Sequence, residues 1–103
     1  MRFPTEHGCF ELEGLPGCRQ IVVSTNAFIE EEYRGKGNGN KAHQSRLQLM
    51  RELRYDYAIC TVVSTNEAQR HILASNGWKK LDEFKSRVTK NTVELWSRKI
   101  ERI

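Results

Sequence analysis

The chain has 103 residues and a mass of 12.0 kDa, with 38% hydrophobic and 29% charged residues, room for one core and no second one. No stretch approaches the ~18 apolar residues of a membrane span and residues 1–20 lack a signal peptide's hydrophobic run, so membrane, collagen, coiled-coil and disordered classes are excluded. The net charge of +4 divides unevenly: residues 1–33 carry two basic and six acidic side chains, −4, and residues 34–103 carry fifteen and seven, +8.

Gly8 to Glu13 alternates apolar and polar residues with Phe10 and Leu12 on one parity, a short strand. Gly14-Leu-Pro-Gly17 is turn chemistry, and Arg19 to Glu30 is a longer strand, β-branched at Ile21, Val22, Val23, Thr25 and Ile29, so a hairpin joins the two. Asn26 marks an irregularity or bulge within it. Tyr33 to Gly39 breaks regular structure, and Ala42, Leu49, Met50 and Leu53 recur at helical spacing over Asn40–Arg54. Tyr57–Val63 is a continuous apolar run, expected as a strand buried on both faces. A short helix spans Asn66–Ser75, with Asn66 as cap, Gln69 at the reciprocal capping position and Asn76-Gly77 as a left-handed stop. Trp78–Phe84 and Thr92–Ile100 read as two last strands around the Lys90-Asn91 turn. The order predicts a mixed α/β (α+β) fold with antiparallel flanks. At its centre a β-α-β unit makes strands 19–30 and 57–63 parallel neighbours with a right-handed crossover.

Arg34-Gly-Lys-Gly-Asn-Gly39 lies between a strand and a helix. Successive N–H groups there, with the partial positive charge of the helix end beneath them, suit an anion, and Arg34 and Lys36 add full charges. The glycines at 35, 37 and 39 have neither the Walker spacing nor the dinucleotide fingerprint. Taken alone, the loop fits equally a tight turn that only needs glycine. Beyond it the basic residues are scattered, with no aromatic-interleaved stripe or DNA-binding motif, which argues against nucleic acid. The odd, widely spaced Cys9, Cys18 and Cys60 fit reduced thiols in the cytoplasm, and His7, Cys9 and Cys18 lack the paired spacing of zinc ligands, so no metal is expected.

Ile29-x-x-x-Tyr-Arg-Gly-Lys-Gly-x-Gly39 resembles the acyl-CoA-binding motif of the GNAT superfamily of N-acetyltransferases, and Asn66, followed eleven residues later by Gly77-Trp78, resembles its second motif. The resemblance covers about residues 19–100. It implies a mostly antiparallel sheet with a central parallel pair whose strands splay at their C-terminal ends, and two main helices. It also implies acetyl-CoA as cofactor: backbone from Phe28, Ile29 and Glu30 meeting the pantetheine, Arg34, Gly35, Lys36, Gly37, Asn38 and Gly39 holding the pyrophosphate, and Asn66 contacting the cofactor from the far side. Asn66 serves equally as a plain helix cap, and Trp78 is expected in the core.

Two departures from the family pattern are visible. The usual N-terminal strand and two helices are absent from the expected single domain 1–103, so the acceptor site is completed by a second subunit, in a homodimer, or is open to a large acceptor. The position of the family's tyrosine acid, seven residues after the motif Asn, is Leu73. The strand before the loop has Val23, Ser24, Thr25 and Asn26 where a Glu often lies, which leaves Glu30 as the one carboxylate offered as a base. His43 and His71 are expected on helix surfaces and Cys60 in the core. Three functions follow: an N-acetyltransferase acting on an amine, a catalytically silent CoA-binding or interaction module, and a basic nucleic-acid binder that the scattered charge disfavours.

Overall fold

Alternating burial along the inner strands builds one six-stranded sheet, and both helices cover the same side of it. The computed structural model describes residues 1–101, apart from the side chains of Asn26 and Phe28. The elements are β1 Arg2–Thr5, β2 Gly8–Leu15, β3 Cys18–Ile29, a 3-10 turn Glu31–Tyr33, α1 Asn38–Glu52, β4 Tyr57–Val63, α2 Glu67–Ser75, β5 Lys79–Lys85 and β6 Thr92–Lys99. The sheet order is β1-β2-β3-β4-β6-β5. Every pairing is antiparallel except β3 with β4.

Most elements lie within two residues of their expected bounds. The hairpin turn narrows to Pro16-Gly17, since Leu15 already pairs with Cys18, and Gly17 takes the left-handed φ of 81° that the turn requires. The expected irregularity at Asn26 is a bulge: Cys9 pairs with Phe28 but Glu11 with Thr25, so β3 holds one extra residue there. Helix α1 stops at Glu52, short of Arg54, because Arg54 itself turns left-handed at φ 65° and Tyr55 N donates back to Met50 O at 3.1 Å. No Gly announces that stop. Strand β1 is an addition to the sequence reading, and it pairs with β2 through the turn at Glu6-His7.

The inward residues Phe10, Leu12, Val22, Ala58, Cys60, Val62 and Trp96 share one face, and Leu47, Met50 and Leu73 of the two helices close over them in one core. Cys60 and Trp78 lie in that core as expected. Strand β4 corrects its expectation, for it alternates rather than being buried twice over, with Tyr57 48% exposed. Both connecting helices pack on the same face, so the other, carrying Ile59, Val63, Val93 and Leu95, has no helix over it among the described residues.

Candidate functional site

The parallel ladder ends early. Ile21, Val22 and Val23 pair with Tyr57, Ala58 and Ile59, and beyond Val23 the two strands part. Strand β3 runs six residues further, to Ile29. The wedge that opens between them is floored by the helices, and a cavity of about 650 Å³ lies there. Its walls come from Ala27 and Ile29 of β3, from the loop at Arg34, Gly35 and Gly37, from α1 at Gly39, His43 and Arg46, and from α2 at Asn66, Gln69 and Ile72.

The loop is shaped by its glycines. Gly35 and Gly37 have φ of 77° and 80°, and no atom lies within 4 Å of where a Cβ would stand at either. Gly37 is the residue before α1, and no side chain caps the helix there, so the N–H groups of its first turn have no intrahelical partner. Two contacts hold the loop in place: Asn38 Nδ2 donates to Tyr33 O at 2.9 Å, and the Tyr33 ring stacks on His7 with centroids 3.7 Å apart. Gly39 answers a different need, because a Cβ there would stand 3.0 Å from Ile72 Cδ1. Asn76 Nδ2 donates to Asn40 Oδ1 at 2.8 Å and fastens the end of α2 to the start of α1.

Of the residues the motifs nominated, Ile29, Arg34, Gly35, Gly37, Gly39 and Asn66 line this cavity together. Arg34 Nε donates to Ile29 O at 2.7 Å, so that carbonyl already has a partner. Asn38 faces back toward Tyr33, and Lys36 and Glu30 are exposed. Glu30 N donates to His7 O at 2.8 Å. Phe28 pairs with Cys9 through its backbone, and its side chain lies outside the described residues. Asn66 caps α2, its Oδ1 accepting from Gln69 N at 3.2 Å.

His43 corrects the surface reading: it is 2% exposed, and Arg46 beside it 4%. Arg46 donates to Ser24 Oγ at 2.9 Å and touches His43 Nδ1, while Trp78 Nε1 donates to His43 Nε2 at 2.8 Å. Burial first, then the positive charges of Arg46 and Arg98, push the His43 pKa down to about 3, so the ring is neutral. Hydropathy hid the pair. The buried stripe of α1 is His43, Arg46, Leu47 and Met50, at i, i+3, i+4 and i+7, and two of its four members are polar, whereas Leu53 is 47% exposed. His71 is exposed, as expected.

The sequence matches no family model and no curated protein. The chain overlays a GNAT family acetyltransferase from Elizabethkingia anophelis with acetyl-CoA bound at a TM-score of 0.78, with 13% identity over 90% of this chain and 68% of that one. It overlays the acetyltransferase of GNAT family from Streptococcus pneumoniae at 0.79, with 16% identity over 92% and 60%. The protein therefore has the GNAT fold. The NatC complex bound to Gag peptide and CoA is also similar, at a TM-score of 0.80 and 15% identity over 91% of this chain and 61% of that chain. The chain thus spans less than two thirds of the NatC and pneumococcal chains. The splayed parallel pair and two helices expected from the motifs are those of the GNAT fold seen here. No helix among the described residues is long and apolar enough to cross a membrane.

Proposed function

We propose that the protein is an acetyl-CoA-dependent N-acetyltransferase that moves the acyl group directly to a primary amine of a small molecule or a protein, in a ternary complex. The observation that carries this reading is the wedge past Val23 and Ile59, walled at one end by an uncapped helix start and two left-handed glycines. The open space at Gly35 and Gly37 and the unpartnered N–H groups fit a diphosphate. Arg34, Gly35, Lys36, Gly37, Asn38 and Gly39 would hold it, the β3 backbone at Phe28–Glu30 would meet the pantetheine, and Asn66 would lie on the far side. Acetyl-CoA, when bound, supplies the activated thioester carbonyl.

The chain's own contribution is positioning. Holding an amine and a thioester in one geometry supplies several kcal/mol of effective concentration without any acid or base. Glu30 is the carboxylate we offer as base, and its exposure lets it pass a proton to water. It stands six residues beyond Ser24, about 20 Å along an extended strand at ~3.3 Å per residue, so it would receive the amine's proton through water and not by direct contact. Leu73 is fully buried and offers no proton, which favours a second reading, a CoA-binding module without turnover. The acceptor side is read as open to a large acceptor or completed by a second copy of residues 1–103. The three free thiols, Cys9, Cys18 and Cys60, accord with a cytoplasmic location.

Calorimetric titration with acetyl-CoA, followed by thiol release in the presence of small amines and basic proteins, separates these readings. Saturable binding with acceptor-dependent release is the expected result. Binding without release selects the silent module, and no binding at near-millimolar acetyl-CoA overturns both.

A further inference from the structure

The closed end of the cavity holds a cation that the fold does not balance. Arg46 lines the cavity and is 4% exposed, and none of the ion pairs among the described residues includes it. Its neighbours come from four elements and all are neutral: Ser24 from β3, the Phe10 ring of β2 with its centroid 6.0 Å away, His43 from α1, and Cys60 from β4, whose thiol burial pushes up to about 11. On the α2 side the cavity is lined by Gln69 and exposed His71. His43 is a poor acceptor for the guanidinium. Trp78 Nε1, a donor only, occupies Nε2, so the neutral ring has its N–H at Nδ1, facing Arg46. A buried guanidinium with neutral partners is costly until an anion joins it.

Its place in the wedge says which anion. Arg46 holds Ser24, the residue directly after the last rung of the β3–β4 ladder. Ile29, beside the loop, lies five residues away, about 16 Å at ~3.3 Å per residue. We propose that Arg46 receives the negative charge of the CoA sulfur as the thioester breaks; this rests on the acetyl-transfer reading, in which the loop holds the diphosphate and the sulfur reaches the closed end. The amine nitrogen bonds to the acetyl carbon, the carbon–sulfur bond breaks, and its electron pair stays on sulfur against the guanidinium. The proton lost by the nitrogen goes to water, and water later returns one to the sulfur. With Leu73 where a proton donor would stand, charge stabilisation replaces proton transfer.

The test needs no acceptor. CoA is bound to the intact chain and its thiolate absorbance followed against pH, with the complex of desulfo-CoA as blank to cancel the protein's own cysteines. The thiol titrates at least about one pH unit below free CoA in the wild-type complex, as expected for an opposite charge within ~4–6 Å. Arg46→Lys retains part of that displacement, and Arg46→Gln abolishes it while CoA still binds through the loop. Should Arg46→Gln fail to fold, the wild-type midpoint and the Lys variant decide alone. CoA that binds with the midpoint of the free thiol overturns the proposal and leaves the acetyl-transfer reading standing. Succinyl-CoA binding tenfold tighter than acetyl-CoA, with that same unmoved midpoint, also overturns it and gives the cation to an acyl carboxylate. Absence of any CoA binding instead overturns the acetyl-transfer reading itself.

Discussion

His43 illustrates how a single ring couples the core to pH. A neutral imidazole offers one lone pair, and two donors, Trp78 Nε1 and the Arg46 guanidinium, face its two nitrogens. Burial, which disfavours the charged ring, and then the positive charges of Arg46 and Arg98 lower the folded pKa to about 3 from the ordinary 6.5. An unfolded chain therefore binds this proton first. The stabilisation is complete above about pH 6.5 and is lost as the pH falls toward 3, with a slope of up to ~1.4 kcal/mol per pH unit. Denaturant melts between pH 6.5 and 5, above the range in which Glu94 and Glu101 titrate, should show this decline, and His43→Gln should flatten it. An unchanged slope in a folded His43→Gln variant would assign the effect elsewhere.

At the scale of elements, each glycine of the loop has its own task. Gly35 and Gly37 take left-handed backbone around open space, while Gly39 lets α2 close on α1 through Ile72. Gly37→Glu is expected to lower acetyl-CoA affinity at least tenfold in calorimetry. It puts a carboxylate against the diphosphate and a side chain on a backbone conformation that costs L residues about 1–2 kcal/mol. Gly37→Ala carries the strain without the charge, so a smaller loss there isolates the electrostatic part. Unaltered affinity in folded Gly37→Glu would remove the loop from the site. The loop's exposure was legible from its six-residue run of Gly, Lys, Arg and Asn. The polar half of the α1 stripe was not, because hydrophobic periodicity counts His43 and Arg46 as surface residues.

On the scale of the whole molecule, the sheet is covered by helices on one side only among the described residues. Both crossover helices cover the face of Val22 and Trp96. Ile59, Val63, Val93 and Leu95 stand on the other, and the edge strand β5 is exposed at every residue, with Leu81 at 58% and Phe84 at 52%. Exposed edges and apolar faces invite a second sheet. The homodimer proposed above is thus expected to show as a doubled mass in light scattering at micromolar concentration, and a monomeric mass there would overturn it.

The amino-acid sequence by itself determined the element order from β2 onward, the hairpin, the bulge near Asn26, the parallel pair and the glycine loop. All of these follow from local chemistry: strand alternation, turn residues, caps and the short range of left-handed backbone. Tertiary structure alone decided that both helices share a face, that β4 is buried once rather than twice, and that His43 and Arg46 sink to the floor of the wedge. Those outcomes depend on which surface each helix meets, and a polar side chain is buried only where a distant partner, here Ser24 or Trp78, arrives to receive or supply its hydrogen bond.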